Sequence, residues 1–211
     1  MTSTMQTPAK ATHPGIRVEV PFTLPDPAAS RVETHNADAD DWQEKVLTLF
    51  SQRSELLANA MDATPRETLA ALATLDETRR DLETELQVLR WNRMEVIEAI
   101  KPAYVTAVAD AEVECQRVLG EQLEDFASLG ITAASMPAGD ANPKAGEHQL
   151  RKRAEQELPV MSAKSELEQR KVDLRVLESQ RGIAPTASNC IVAWPAPASD
   201  VHPAVVRMIG A

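Results

Sequence analysis

The length, composition and charge of this chain limit the classes of protein to which it can belong. It has 211 residues, 43% of them hydrophobic and only 3% aromatic, with a formal net charge of −10. Its leucine, alanine and valine content favours packed helices over a sheet. The negative charge argues against general binding of nucleic acid or anionic lipid. With no apolar run long enough to span a bilayer and no apolar leader, we expect a protein of the cytoplasm or of a virion.

The first forty residues predict an extended arm. Residues 1–40 contain five prolines and no helical period. Within them, the segment 16–22 alternates apolar and charged side chains, as a short edge strand does. Its apolar side chains are candidate contacts for a partner: Ile16, Val18, Val20 and Phe22. Because such an arm has too little apolar surface to fold alone, it either orders on a partner or remains a disordered tail.

Two antiparallel helices are predicted next. The pattern at 41–44 resembles a capping box, so the first helix should begin near Asp41 and end near Asp62. The segment Thr64–Glu67 has threonine at the N-cap, proline at the first helical position and glutamate at the third. Since only a residue or two separates these helices, they should form a tight hairpin.

Side chains from Leu72 to Ile100 recur at alternating spacings of three and four, the period of a coiled-coil seam. Three arginines occupy core-type positions in the hairpin: Arg53, Arg79 and Arg93. A polar residue in a seam specifies alignment and partner number more than stability, so we expect these arginines to set the helix register. In the hairpin, Arg53 should lie near Asp76 or Glu77.

Pro102 interrupts the second helix. It removes one amide donor and clashes with the preceding turn, and no turn-forming residue flanks it. We therefore expect a kink, after which the helix resumes and ends near Ser128. The helices would then form a rod from which both arms leave beside Trp91, a further candidate contact. A sharp bend at Pro102 would instead give a compact four-helix bundle.

The chain after Ser128 predicts a linker, a helix and a second arm. Three glycines and two prolines at 129–146 argue against regular structure and favour a mobile linker. A last helix should span 147–181, with a split at Pro159. The proline-rich arm at 183–211 has two possible strands, 189–194 and 205–209. Its candidate contacts lie in the first of them: Ile191, Val192 and Trp194.

Together these elements predict an all-α fold of about four helices. An elongated antiparallel helical hairpin or coiled-coil bundle at 41–182 is flanked by extended arms that are able to add short β-strands. Residues 41–128 carry nine basic and eighteen acidic side chains, whereas the late helix is slightly basic. Packing the late helix on the early ones would therefore relieve electrostatic repulsion.

No residue pattern indicates catalysis, a metal or a cofactor. The four histidines lie outside metal-ligand spacing of one another and of Cys115 and Cys190, which we expect to be reduced thiols. The acidic segment 38–41 lacks the glycine and distal glutamate of a calcium loop. The basic segment 151–153 has no interleaved aromatics and is typical of a surface patch. We therefore expect no small-molecule substrate.

These features favour a scaffold over an enzyme. An acidic helical rod with two proline-rich arms is typical of a structural or assembly protein of a large particle, such as a bacteriophage virion or procapsid. Its partners would be other protein subunits, as a homo-oligomer or in the particle, bound through the arms. The alternative is a cytoplasmic coiled-coil adaptor or chaperone that binds a partner helix. An enzyme is the least favoured of the three classes.

Overall fold

The fold is all-α, as the sequence predicts. The structure is a computed structural model that describes residues 15–60, 62–181 and 185–194. Four α-helices account for most of these residues: α1 (Ala28–Ala58), α2 (Pro65–Ser128), α3 (Pro143–Ala154) and α4 (Leu158–Gln180). No strand occurs among the described residues, so the strands predicted at 16–22 and 189–194 are not formed, and Asn189 ends a 3-10 helix that begins at Ala187. The predicted strand at 205–209 lies outside them.

Helix α1 begins at Ala28, so the predicted start near Asp41 is wrong, and residues 28–40 are helix and not an extended arm. Its buried side chains recur at spacings of three and four from the first turn: Val32, His35, Ala39, Trp42, Val46 and Leu49. A histidine and an alanine fill two of these positions, which weakens the apolar pattern before Trp42. Asp41 lies inside the helix, where it pairs with Lys45 at 3.0 Å.

The predicted capping box at the start of α2 is confirmed. The backbone amide of Thr64 donates to Glu67 Oε2 at 3.1 Å, and the amide of Glu67 donates to Thr64 Oγ1 at 3.4 Å. Helix α2 then continues to Ser128 with Pro102 inside it. As predicted, the helix continues past Pro102 and the chain does not reverse direction there.

The described residues divide into two compact units. The first unit combines Asp26–Ile97 with the described parts of 1–20 and 181–211. Its core joins α1 to the first part of α2, with Trp42 Nε1 donating to the carbonyl of Leu82 at 2.8 Å. The predicted seam of α2 is confirmed in this core by three buried leucines: Leu82, Leu86 and Leu89.

The second unit combines Pro21–Pro25 with Glu98–Gln180. One cluster in its core is formed by α2, α3 and α4: Leu119, Phe126, Ala154 and Val160. Helix α3 begins at Pro143, where the Asn142 side chain caps it by accepting from the amide of Ala145 at 3.3 Å. The prediction that 129–146 lacks regular structure is therefore wrong. This segment contains the first turn of α3 and a 3-10 helix at Ala133–Ser135.

Candidate interaction site

The N-terminal segment 15–20 is held against α1 by side chains. Ile16 and Val18 are buried in the first unit. His35 Nε2 lies 2.6 Å from the carbonyl of Ile16, and Asn36 makes two bonds with Val18. In these, Val18 N donates to Asn36 Oδ1 at 2.9 Å, and Asn36 Nδ2 donates to the Val18 carbonyl at 3.1 Å. Polar side chains of α1 thus satisfy backbone groups that a strand would have bonded.

Arg93, predicted to set register, helps to hold the same segment. It is buried, and its Nε donates to the carbonyl of Arg17 at 3.2 Å. Burial lowers the pKa of Arg93, as does neighbouring Arg90, while Glu19 opposes them. Arg90 is also buried, and its Nε and Nη1 have no hydrogen-bond partner among the described residues. Nothing in the spacing of the sequence distinguished Arg90, because it lies beside the predicted seam.

The C-terminal segment 190–194 is held by the other two seam arginines. The guanidinium groups of Arg53 and Arg79 both lie over the Trp194 ring, with Cζ-to-centroid distances of 4.7 and 5.4 Å. Its Nε1 donates to Asp76 Oδ1 at 3.2 Å. Val192 is fully buried, and its amide donates to Glu83 Oε1 at 3.3 Å. We call Trp194 with Arg53, Arg79 and Asp76 the Trp194 clasp.

Opposing effects act on the pKa of Arg53 in this clasp. Burial lowers the pKa of Arg53, and the carboxylate of Asp76 raises it. The neighbouring Arg79 lowers it again, because two like charges share one aromatic ring. The predicted proximity of Arg53 to Asp76 is confirmed. Stacking of both arginines on Trp194 stabilises the segment in a way that seam spacing could not indicate.

The structure separates the eight predicted contact residues by exposure. Ile16, Val18 and Val192 are buried, and Val20, Phe22 and Trp194 are partly buried. In the second unit, the Phe22 ring meets Tyr104 edge-on at 4.7 Å. Trp91 and Ile191 remain exposed, at 53% and 54%. The described parts of both arms thus place most of their apolar side chains against the chain's own helices.

Trp91 belongs to an uncovered face of α2. Four exposed residues at spacings of four, three and four form this Trp91 face: Thr84, Val88, Trp91 and Glu95. Val88 and Trp91 are each 53% exposed, although they are large and apolar. This spacing is the one that a second helix requires for packing alongside. Within the described part of the first unit, the Trp91 face therefore leaves two large apolar side chains without a covering neighbour.

A surface groove adjoins the Trp91 face and shares Glu95 with it. The groove has a volume of about 450 Å³ and runs between α1 and α2 in the first unit. The carboxylates of Asp38 and Glu95 and the guanidinium of Arg31 line it, and His35 forms part of its wall. Its lining therefore suits polar or cationic side chains of a docked protein.

Unfolding of the first unit should become easier as the pH falls below neutrality. Burial, the largest cause, lowers the pKa of His35, Arg93 lowers it further, and the Ile16 carbonyl and Asp38 oppose them. The neutral imidazole therefore contributes stability that is present above the unfolded pKa of about 6.5 and is lost as pH falls through the folded pKa. Urea unfolding at pH 7.5 and 5.5 measures the loss.

The His35→Gln variant provides the control for this pH dependence. Glutamine retains a donor for the Ile16 carbonyl but does not titrate, so the change in unfolding midpoint between the two pH values should largely disappear. An equal change in both proteins would show that other groups cause it.

Neither a metal site nor a membrane-spanning helix is found among the described residues. Among them no group of three histidine, cysteine, aspartate or glutamate side chains is placed to hold a metal ion. No helix within these ranges is long and apolar enough to cross a membrane. Cys115 and Cys190 are free and buried, one in each unit. No family model, curated protein or solved structure gives a significant match to this chain.

Proposed function

We propose that this chain is a non-enzymatic structural or assembly protein of a large multi-subunit particle, and that it binds other protein subunits through the Trp91 face. One observation carries the proposal: Val88 and Trp91 lie uncovered, one turn apart, on a long helix. Tryptophan is among the residues that contribute most to protein–protein binding when a partner buries it. Exposing it to water has no benefit for the isolated fold.

The burial of apolar side chains from the terminal arms favours the Trp91 face over the arms as the docking surface. Ile16, Val18 and Val192 are buried within the chain, so their side chains are unavailable to a partner in this conformation. The docking role predicted for the arms remains a prediction for Ile191, which is exposed. It also remains a prediction for residues 1–14 and 195–211, because these two ranges lie outside the described residues. A bacteriophage virion or procapsid remains the hypothesis for the kind of particle.

A second candidate function is an adaptor that binds one partner helix. It is favoured by the spacing of Thr84, Val88, Trp91 and Glu95, which matches the contact stripe of a single packed helix. Stoichiometry distinguishes the two functions. A particle component should be recovered in many fixed copies per complex, and an adaptor in one or two.

Replacing Trp91 with alanine should reduce incorporation of the full-length chain into its native complex at least about tenfold, because a central aromatic contact is lost. Tagged chains recovered from the source cells and sized by sedimentation give the measurement. Leu69→Ala is the matched control, since Leu69 is equally exposed on the same helix, at 52%. Equal incorporation of the two variants would exclude the Trp91 face as the docking surface.

A further inference from the structure

The second unit contains a groove of its own, with an apolar floor and an acidic rim. Its volume is about 530 Å³, and Phe22, Ala103 and Ala107 form apolar parts of its lining. Charged side chains also line it: Asp110, Glu114, Glu166 and Arg170. Arg170 is already engaged, because it bonds Glu166 at 2.6 Å and its Cζ lies 4.6 Å from the centre of the Phe22 ring. Glu114 is also engaged, because Arg117 donates to its two carboxylate oxygens at 2.7 and 2.5 Å. Asp110 is therefore the lining carboxylate whose charge no ion pair offsets among the described residues.

The shape and charge of this groove define the side chain that it suits. Short alanine side chains leave room above the floor, and carboxylates line the space. A lysine or arginine fits such a site, because its aliphatic stem packs on apolar surface while its charged end reaches acidic groups at the rim. Asp110 forms no ion pair among the described residues, so its carboxylate is available to a cation.

Helix α3 of the same chain has the complementary character. It carries four cations and one carboxylate over twelve residues, and its cations are exposed: Lys144, Arg151, Lys152 and Arg153. Arg151 pairs with Glu155 at 3.4 Å, and Arg153 lies 5.5 Å from the centre of the Phe126 ring. Lys144 and Lys152 have no ion pair within the described part of the chain. No α3 residue lines the groove of its own chain.

We infer that the groove of one copy binds helix α3 of a second copy, with the stem of Lys152 on the apolar floor and its ammonium group beside the carboxylate of Asp110. The inference rests on the proposed assembly function and names one of its partners. A groove and a helix are different surfaces, so the contact is head-to-tail. Each added copy leaves one groove and one α3 free, and such contacts continue into rings or filaments.

The inference predicts self-association of the purified full-length chain that weakens with salt. Sedimentation over a concentration series should show assemblies larger than a monomer at low ionic strength, and raising the salt should dissociate them. Lys152→Glu and Asp110→Lys should each raise the dissociation constant at least about tenfold, since each places like charges together. The double variant should recover most of the lost affinity, because the ion pair is then reversed.

Arg66→Glu is the matched control, since it makes the same charge change at an exposed position in the first turn of α2. It should associate as the unaltered chain does. Trp91→Ala should also self-associate normally, so failure at the groove and failure of the proposed function are distinguishable. A chain that is monomeric at low salt, or a Lys152→Glu variant that associates normally, would overturn the inference. Association of the double variant no stronger than that of the single variants would do the same.

Discussion

Replacing Leu86 with alanine is expected to lower the free energy of unfolding by about 2–5 kcal/mol, the usual cost of truncating a buried leucine. Leu86 is fully buried at the centre of the core that joins α1 to α2. Trp42 and Leu82 belong to the same core and are tied together by a 2.8 Å hydrogen bond, which restricts collapse around a cavity. Urea unfolding followed by circular dichroism measures the change.

Val88→Ala is the matched control for Leu86→Ala. Val88 lies two residues away on the same helix but is 53% exposed, so its truncation should change the stability by less than about 0.5 kcal/mol. Equal effects of the two variants would mean that the buried side of α2 has been assigned to the wrong residues.

Local patterns predicted the helical hairpin well. The heptad spacing through Leu82, Leu86 and Leu89 identified the buried side of α2, and the Thr64–Glu67 box located its first turn. Both signals depend on residues close in sequence, where periodicity and capping act directly. The start of α1 was missed for the same reason. His35 and Ala39 occupy core positions there, and neither contributes a strong apolar signal.

The contacts of the arms could not be predicted from local pattern. Trp194 donates to Asp76, which lies 118 positions earlier, and stacks on two arginines chosen only for their seam spacing. Proline content carries no information about which surface these segments pack on, and it did not indicate that residues 28–40 belong to α1. Trp91 was selected because the arms were expected to meet beside it, whereas the structure distinguishes it by exposure.

The helix predicted at 147–181 with a split at Pro159 is present as α3 and α4, but the start of α3 was placed four residues too late although a local signal was present. Asn142 followed by Pro143 is an N-cap residue followed by the residue favoured at the first helical position. The density of glycine and proline around it favoured a mobile linker instead. Two of those glycines have a packing role, because Gly139 and Gly146 both lie against the carbonyl of Ala133.

Replacing Gly146 with alanine is expected to destabilise the second unit, by at least the 1–3 kcal/mol or so typical of overpacking. A Cβ atom at this position would lie 2.3 Å from the carbonyl oxygen of Ala133 and 2.9 Å from the Cα atom of Gly139. Both contacts are with backbone, so no side-chain rotation can relieve them. Alanine otherwise favours helix, so the sign of the effect separates packing from propensity.

Gly120→Ala is the matched control for Gly146→Ala, and its effect should have the opposite sign. Gly120 lies inside α2, and a methyl group added there would meet no neighbouring atom within 4 Å, so nothing opposes the helix propensity of alanine. We expect a gain of about 0.5–1 kcal/mol in the free energy of unfolding. Urea midpoints of the two variants and the unaltered chain test both signs together. If Gly146→Ala were also stabilising, the close packing of α3 on the 3-10 helix at Ala133–Ser135 would be wrong, and the segment before α3 would be the mobile linker that its composition predicts.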